Sequence, residues 1–120
     1  MYDFGPPVSV SGVTFEGRQI PLGQLFEAQG NGAVIHGKLW REPDNVHDSN
    51  AILVVLWCRG RSFSLGGNAG YIPWEVAAKL APLMDKGEEI TVKDVRIVGG
   101  DSPNHPHYGV RLQLQSKEAF

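Results

Sequence analysis

Residues 51–58 read Ala-Ile-Leu-Val-Val-Leu-Trp-Cys and form the longest charge-free apolar run of the chain. Ile52, Val54 and Val55 are β-branched, and neither face of an extended segment here would be polar. Such a run is typical of a central strand that is covered on both faces. We therefore predict a central strand over residues 51–57.

Gly and Pro, 15 and 8 of the 120 residues, separate shorter apolar segments on both sides of this run. Alternating apolar and polar side chains, with a glycine bulge in the first segment, predict further strands at residues 8–15, 33–40, 89–97 and 108–115. A hairpin is predicted between the central strand and residues 62–65. These short, β-branched segments favour a strand-rich domain.

One helix is predicted to begin at Pro73, because Val76, Leu80 and Leu83 then share one face. Pro82 lacks a backbone N–H donor, so we expect a break or kink there. Residues 22–28 offer a second, shorter helical segment.

The number of strands and their short connections predict a mainly β protein with one α-helix. A small OB-like β-barrel of five to six strands fits better than a parallel α/β sheet, which requires more crossover helices. A chain of 120 residues has room for a single hydrophobic core. We expect one domain over residues 8–115, with terminal tails at residues 1–7 and 116–120.

The composition excludes several classes of protein. With 11 Lys and Arg against 13 Asp and Glu, the net charge of -2 argues against a polycationic arm. The central apolar run is far shorter than the roughly 20 residues that span a bilayer. A single cysteine, Cys58, excludes an internal disulfide. We expect a soluble cytoplasmic protein that does not bind membranes; the sequence does not indicate its oligomeric state.

No motif for catalysis or for a cofactor is complete. His105 and His107 could ligate a metal, joined by His36 or His47, but no Cys or paired carboxylate completes a ligand spacing. Ser, His and Asp are present without the pattern that exposes a nucleophile. We predict no catalytic residue, no metal and no other cofactor.

One long motif resembles a known family. Its residues are Arg41-Glu42-Pro43-Asp44-Asn45-Val46-His47-Asp48-Ser49-Asn50-Ala51-Ile52, followed by Gly70-Tyr71-Ile72-Pro73 and the predicted helix. This combination resembles the HIRAN domain, and the resemblance extends to Gly12-Val13-Thr14-Phe15 and to the closing strand from Tyr108. It implies an OB-like barrel that binds single-stranded DNA at its 3′ end, a module found on fork-remodelling helicases and also alone. We expect no helicase motor here.

The resemblance also implies a set of binding residues. Asn45 and Asp48 match polar residues at the DNA end, and ring-bearing side chains that contact bases match Phe15, Tyr71 and Tyr108. Thr14 and Glu16 stand where DNA-binding members can carry a cation and a second aromatic residue. Phosphate contacts would then come from other side chains, and the candidates are Arg18, Lys38, Arg41 and His47.

Asp48 has a specific physical meaning in such a site. A carboxylate repels phosphates, so it is tolerable only where the strand offers a hydrogen-bond donor such as a free 3′-hydroxyl. Structural roles remain open as well: Asn45 and Asp48 could cap their own backbone, Phe15 could belong to the core, and Arg41 could form a surface pair with Glu42.

We therefore predict a non-catalytic module that recognises single-stranded DNA, at its 3′-hydroxyl end, in DNA repair or replication. Its further partner would be a DNA-repair protein or a helicase. One alternative is a protein-interaction module in a DNA-repair, mobile-element or phage-related system. Another is a metal-dependent hydrolase or nuclease, which requires His105, His107 and a carboxylate in one cleft.

Overall fold

A computed structural model describes residues 2–15, 17–60, 64–100, 102–104 and 106–117. The elements in chain order are β1 (Tyr2–Asp3), β2 (Val8–Ser9), α1 (Gln19–Gly30), β3 (His36–Arg41), β4 (Ile52–Arg59), β5 (Ser64–Tyr71), α2 (Trp74–Asp85), β6 (Ile90–Gly99) and β7 (Tyr108–Ser116).

β4 is the centre of a three-stranded antiparallel sheet with the order β3-β4-β5. One face of β4 is fully buried in the core and carries Ile52, Val54, Leu56 and Cys58. The opposite face is half-buried. The predicted central position of this strand is therefore confirmed, whereas the predicted cover on both faces is complete on one face only.

The second sheet is built around β7, with β6 along one edge and β1 and β2 along the other. The two sheets are joined where Ser11 and Tyr71 exchange backbone hydrogen bonds of 2.8 and 2.9 Å. Among the described residues no strand pairing joins β3 to β6, so the structure is two packed sheets. The mainly β class is confirmed, whereas the predicted small OB-like β-barrel is not, because the described strands do not close into a barrel.

Two helices are present where the fold prediction has one. α1 is longer than the helical segment at residues 22–28 and buries Leu22 and Leu25. α2 continues through Pro82 to Asp85, so the expected break does not occur. Leu80 and Ala81, directly before the proline, are fully buried, and their packing holds this turn against the core. Neither described helix is long and apolar enough to cross a membrane.

Two strands differ from their predicted bounds, and both differences shape the site. The first strand was predicted over residues 8–15, but the chain turns at Gly12, whose φ is +76°, and residues 13–15 leave the sheet. β5 extends to Tyr71 through three glycines, whereas its predicted part at residues 62–65 lies partly outside the described residues. The turn after β2 and the end of β5 therefore lie side by side.

Candidate nucleic-acid interface

A groove of about 420 Å³ opens between the turn after β2, the β3–β4 loop and the start of α2. Its size lies within the range of about 300 to 1,000 Å³ that is usual for small-ligand sites. Six of the nine candidate binding residues line it: Phe15, Arg18, Asn45, His47, Asp48 and Tyr71. Residues far apart in the sequence therefore meet on one surface.

Asn45 shapes the β3–β4 loop. Its Oδ1 accepts hydrogen bonds from the backbone N–H groups of His47 at 2.9 Å and Asp48 at 3.1 Å. Its Nδ2 donates to Oε1 of Glu42 at 3.1 Å. Both ends of the amide are thus engaged by the protein, as in the self-capping turns formed by Asn and Asp. Asn45 therefore fixes the backbone of His47 and Asp48, which line the groove.

Asp48 has one engaged and one available carboxylate oxygen. Oδ1 accepts the backbone N–H of Asn50 at 2.8 Å and so caps the end of the loop. Oδ2 has no hydrogen-bond partner within the part of the chain that the structure describes. Because the side chain lines the groove, a ligand's hydroxyl group could donate to this oxygen.

Tyr71 connects the loop to β5. Its hydroxyl donates to Oε1 of Glu42 at 2.8 Å, so Glu42 accepts from both Tyr71 and Asn45. This hydrogen bond, with partial burial and the negative charge of Glu42, raises the pKa of Tyr71 above its ordinary value of 10.0. The phenol therefore remains protonated and holds its ring in place along the groove.

Arg18 supplies the positive charge of the groove. The centre of its guanidinium group lies 5.4 Å from the ring centroid of Phe15 and 5.6 Å from that of Tyr71. Its Nη1 donates to the backbone oxygen of Gly12 at 2.7 Å. No carboxylate of the described residues forms an ion pair with it. The groove therefore has a cation at Arg18, directly before α1, although position 14 is a threonine.

Phe15 does not belong to the core. Its side chain is 60% exposed although it borders the groove. His47 is exposed on the β3–β4 loop and faces the same space. Both side chains are therefore accessible to a ligand.

Tyr108 does not line the groove. Its ring packs against Phe26 with centroids 5.2 Å apart, and its backbone N–H and carbonyl both bond to the side chain of Gln19. The ring therefore helps to attach α1 to β7.

Arg41 is likewise engaged elsewhere. It forms a bidentate pair with Asp85 at 3.0 and 3.1 Å, and its Nη1 donates to the carbonyl of Ala51 at 3.2 Å. The side chain is only 15% exposed. The surface pair that we considered with Glu42 is therefore formed with Asp85 on α2.

Sequence reasoning missed Trp74, which lines the groove and is 70% exposed. It is the first residue of α2, and its side chain is exposed although Ala77 and Ala81, on the same side of the helix, are buried. A tryptophan directly after the Gly70–Pro73 motif was the available signal, because a ring beside a binding motif offers a surface on which a base can stack.

Within the described ranges, no three His, Cys, Asp or Glu side chains form a group that could hold a metal ion. His105, which the nuclease hypothesis requires, lies outside those residues.

A family model for the HIRAN domain matches residues 35–116, which is more than half of the chain. The protein therefore belongs to the HIRAN domain family, whose members are generally nucleic-acid-binding modules. The match includes the β3–β4 loop, Tyr71 and Trp74, whereas Phe15 and Arg18 precede it. No curated protein and no solved structure matches the chain.

Proposed function

We propose that the groove binds the 3′-hydroxyl end of single-stranded DNA without catalysing a reaction on it. The observation that carries this proposal is that Asp48, whose Oδ2 is available, lines the same groove as Arg18 and the rings of Phe15, Tyr71 and Trp74. A carboxylate in a site that also holds a cation and rings is suited to a ligand with both a hydroxyl donor and a phosphate.

The carboxylate selects the end of the strand. Asp48 would repel the internal phosphates of a DNA strand, and it would repel a terminal 3′-phosphate most strongly. A 3′-hydroxyl donates a hydrogen bond to a charged acceptor, which contributes about 1.5 to 3 kcal/mol. The terminal sugar therefore lies against the β3–β4 loop.

The rings and the cation hold the rest of the terminal nucleotide. Phe15, Tyr71 and Trp74 offer flat surfaces on which a base can stack, a contact that contributes about 1 to 3 kcal/mol per base. Arg18 neutralises the phosphate that links the 3′-terminal nucleotide to the one before it. Stacking accepts any base, so sequence preference is slight and the phosphate contact makes binding salt-dependent.

Asn45 and Glu42 act through other groups. Their hydrogen bonds orient the loop and the Tyr71 ring, so they are positioning residues rather than ligand contacts. Free 3′ ends arise during DNA repair and replication, and we place the activity in those processes.

The proposal is tested by comparing a linear single strand with a covalently closed circular strand of the same composition, in low salt. We expect the linear strand to bind at least about tenfold more tightly, because only it carries a 3′-hydroxyl. Equal affinity of both strands would contradict end recognition, and absence of binding to either would refute the function itself.

Variants separate the contributions within the groove. Arg18→Gln should weaken linear-strand binding and lower its salt dependence, while Phe15→Ala should weaken binding by roughly fivefold or more with unchanged salt dependence. Tyr2→Ala is the matched control, because Tyr2 is also an exposed ring, on β1, but does not line the groove. It should bind like the unmodified protein.

A further inference from the structure

The sheet β3-β4-β5 carries aromatic rings and the cation Lys38 on the face opposite the core. We call this surface the outer sheet face and define it by the residues His36, Lys38, Trp40, Leu53, Val55 and Trp57. Trp40 is 57% exposed, and the Lys38 ammonium lies 5.6 Å from its ring centroid. The rings of His36 and Trp57 stack with centroids 5.7 Å apart.

The charge of this sheet is of one sign. The chain has 13 acidic residues, yet β3, β4 and β5 contain none. Their charged residues are Lys38, Arg41 and Arg59, of which Arg41 is paired with Asp85. Lys38 and Arg59 form no ion pair with any described carboxylate. A polyanion with flat apolar groups is complementary to such a surface.

The outer sheet face is continuous with the groove. Trp40 lies opposite Leu53, and Leu53 lies opposite Tyr71, so the three residues form one row across the sheet. With strands about 4.8 Å apart, the row spans about 10 Å. A second depression, of about 390 Å³, runs from Trp40 to Asn45 and meets the groove there.

We propose that the nucleotides preceding the 3′-terminal one lie along the outer sheet face, with bases stacked on Trp40 and then on Trp57. This inference rests on the proposed function and specifies the path of the strand. From Trp40 to His36 the face extends four residues along β3, about 13 Å, which is room for about four stacked bases. Glu42 and Asp44 border the Trp40 depression, so the phosphates pass on the Lys38 side.

The test measures how affinity depends on strand length. A 3′-hydroxyl dinucleotide occupies only the groove, whereas a strand of about ten nucleotides also reaches the outer sheet face. Fluorescence anisotropy with a 5′ label gives both affinities. The unmodified protein should bind the longer strand at least about tenfold more tightly, because each additional stacked base adds to the binding.

Trp40→Ala and Lys38→Gln should weaken binding of the longer strand by about five- to tenfold and leave dinucleotide binding within about twofold. Trp74→Ala, in the groove, should weaken both. Arg96→Ala is the control for a lost surface cation, since Arg96 is exposed on β6. It should change neither affinity by more than about twofold.

Two results would overturn the inference while leaving the groove intact: equal affinity for both lengths, or unchanged long-strand affinity in Trp40→Ala. A change in sedimentation of Trp40→Ala without a change in affinity would instead assign the face to contact between copies of the chain. If the unmodified protein binds neither strand, the proposed function has failed and the inference fails with it.

Discussion

Gly70 lies where β5 meets the turn after β2, and replacing it with Ala tests how the two sheets are joined. Its φ is +138°, which L side chains rarely adopt. An added Cβ would point into the carbonyl oxygen of Ser11 and come within 3.0 Å of Cγ1 of Val10. Because the obstructing atom is backbone, the Ser11–Tyr71 bridge must open to make room.

The cost of Gly70→Ala follows from these contacts. Backbone strain at this φ costs about 1 to 3 kcal/mol. The two hydrogen bonds of the Ser11–Tyr71 bridge contribute about 0.5 to 1.5 kcal/mol each. We therefore expect the free energy of unfolding to fall by about 2 to 6 kcal/mol. This is a large share of the total free energy of unfolding of a typical domain, which is about 5 to 15 kcal/mol.

Urea denaturation followed by circular dichroism measures this loss, which should appear as a lower midpoint with an unchanged slope. Gly30→Ala is the matched control, because Gly30 ends α1 and an added Cβ meets nothing within 4 Å. The control should be neutral or slightly stabilising. If the Gly70→Ala protein were as stable as the control, the proposed role of the Ser11–Tyr71 bridge in connecting the two sheets would be refuted.

Three further predictions concern single side chains. Glu42→Gln should lower the pKa of Tyr71, which ultraviolet titration of the phenol measures. In the unmodified protein the Tyr71–Glu42 contact stabilises the fold below pH 10, and this stabilisation is lost as the pH rises through the raised pKa. Arg41→Ala should lower the free energy of unfolding by about 1 to 2 kcal/mol, because the Asp85 pair is lost, yet leave DNA affinity unchanged in the anisotropy assay. Trp74→Ala should leave the melting temperature within about 2 °C of the unmodified protein, since the side chain is exposed.

The central strand was predictable because every position of residues 51–57 is apolar, so no choice of face was needed. β5 was underestimated because Gly66, Gly67 and Gly70 give no alternation of apolar and polar side chains. β5 pairs with β4 along its length and with Ser11 at its end, and neither pairing is visible in its own sequence. The length of α1 was underestimated because Pro21 and Gly23 reduce helix propensity. The helix forms because it is buried against the sheets.

The site was predictable where its residues belong to one local motif. Asn45 and Asp48 share a loop whose turn chemistry is visible in the sequence. The packing of Tyr108 against α1 could not be predicted from the sequence, because the alternation along β7 does not show which element covers each face. The partner of Arg41 is Asp85, which is 44 residues away, and no local pattern reports such a pair.

The most direct test of end recognition compares one strand carrying a 3′-hydroxyl with the same strand carrying a 3′-phosphate. Asp48→Asn is the decisive variant, because its Oδ1 can still accept the N–H of Asn50 while the charge is removed. We predict that the unmodified protein prefers the 3′-hydroxyl by at least about tenfold and that Asp48→Asn reduces this preference to about threefold or less. Equal affinity of the unmodified protein for the two strands would contradict the account.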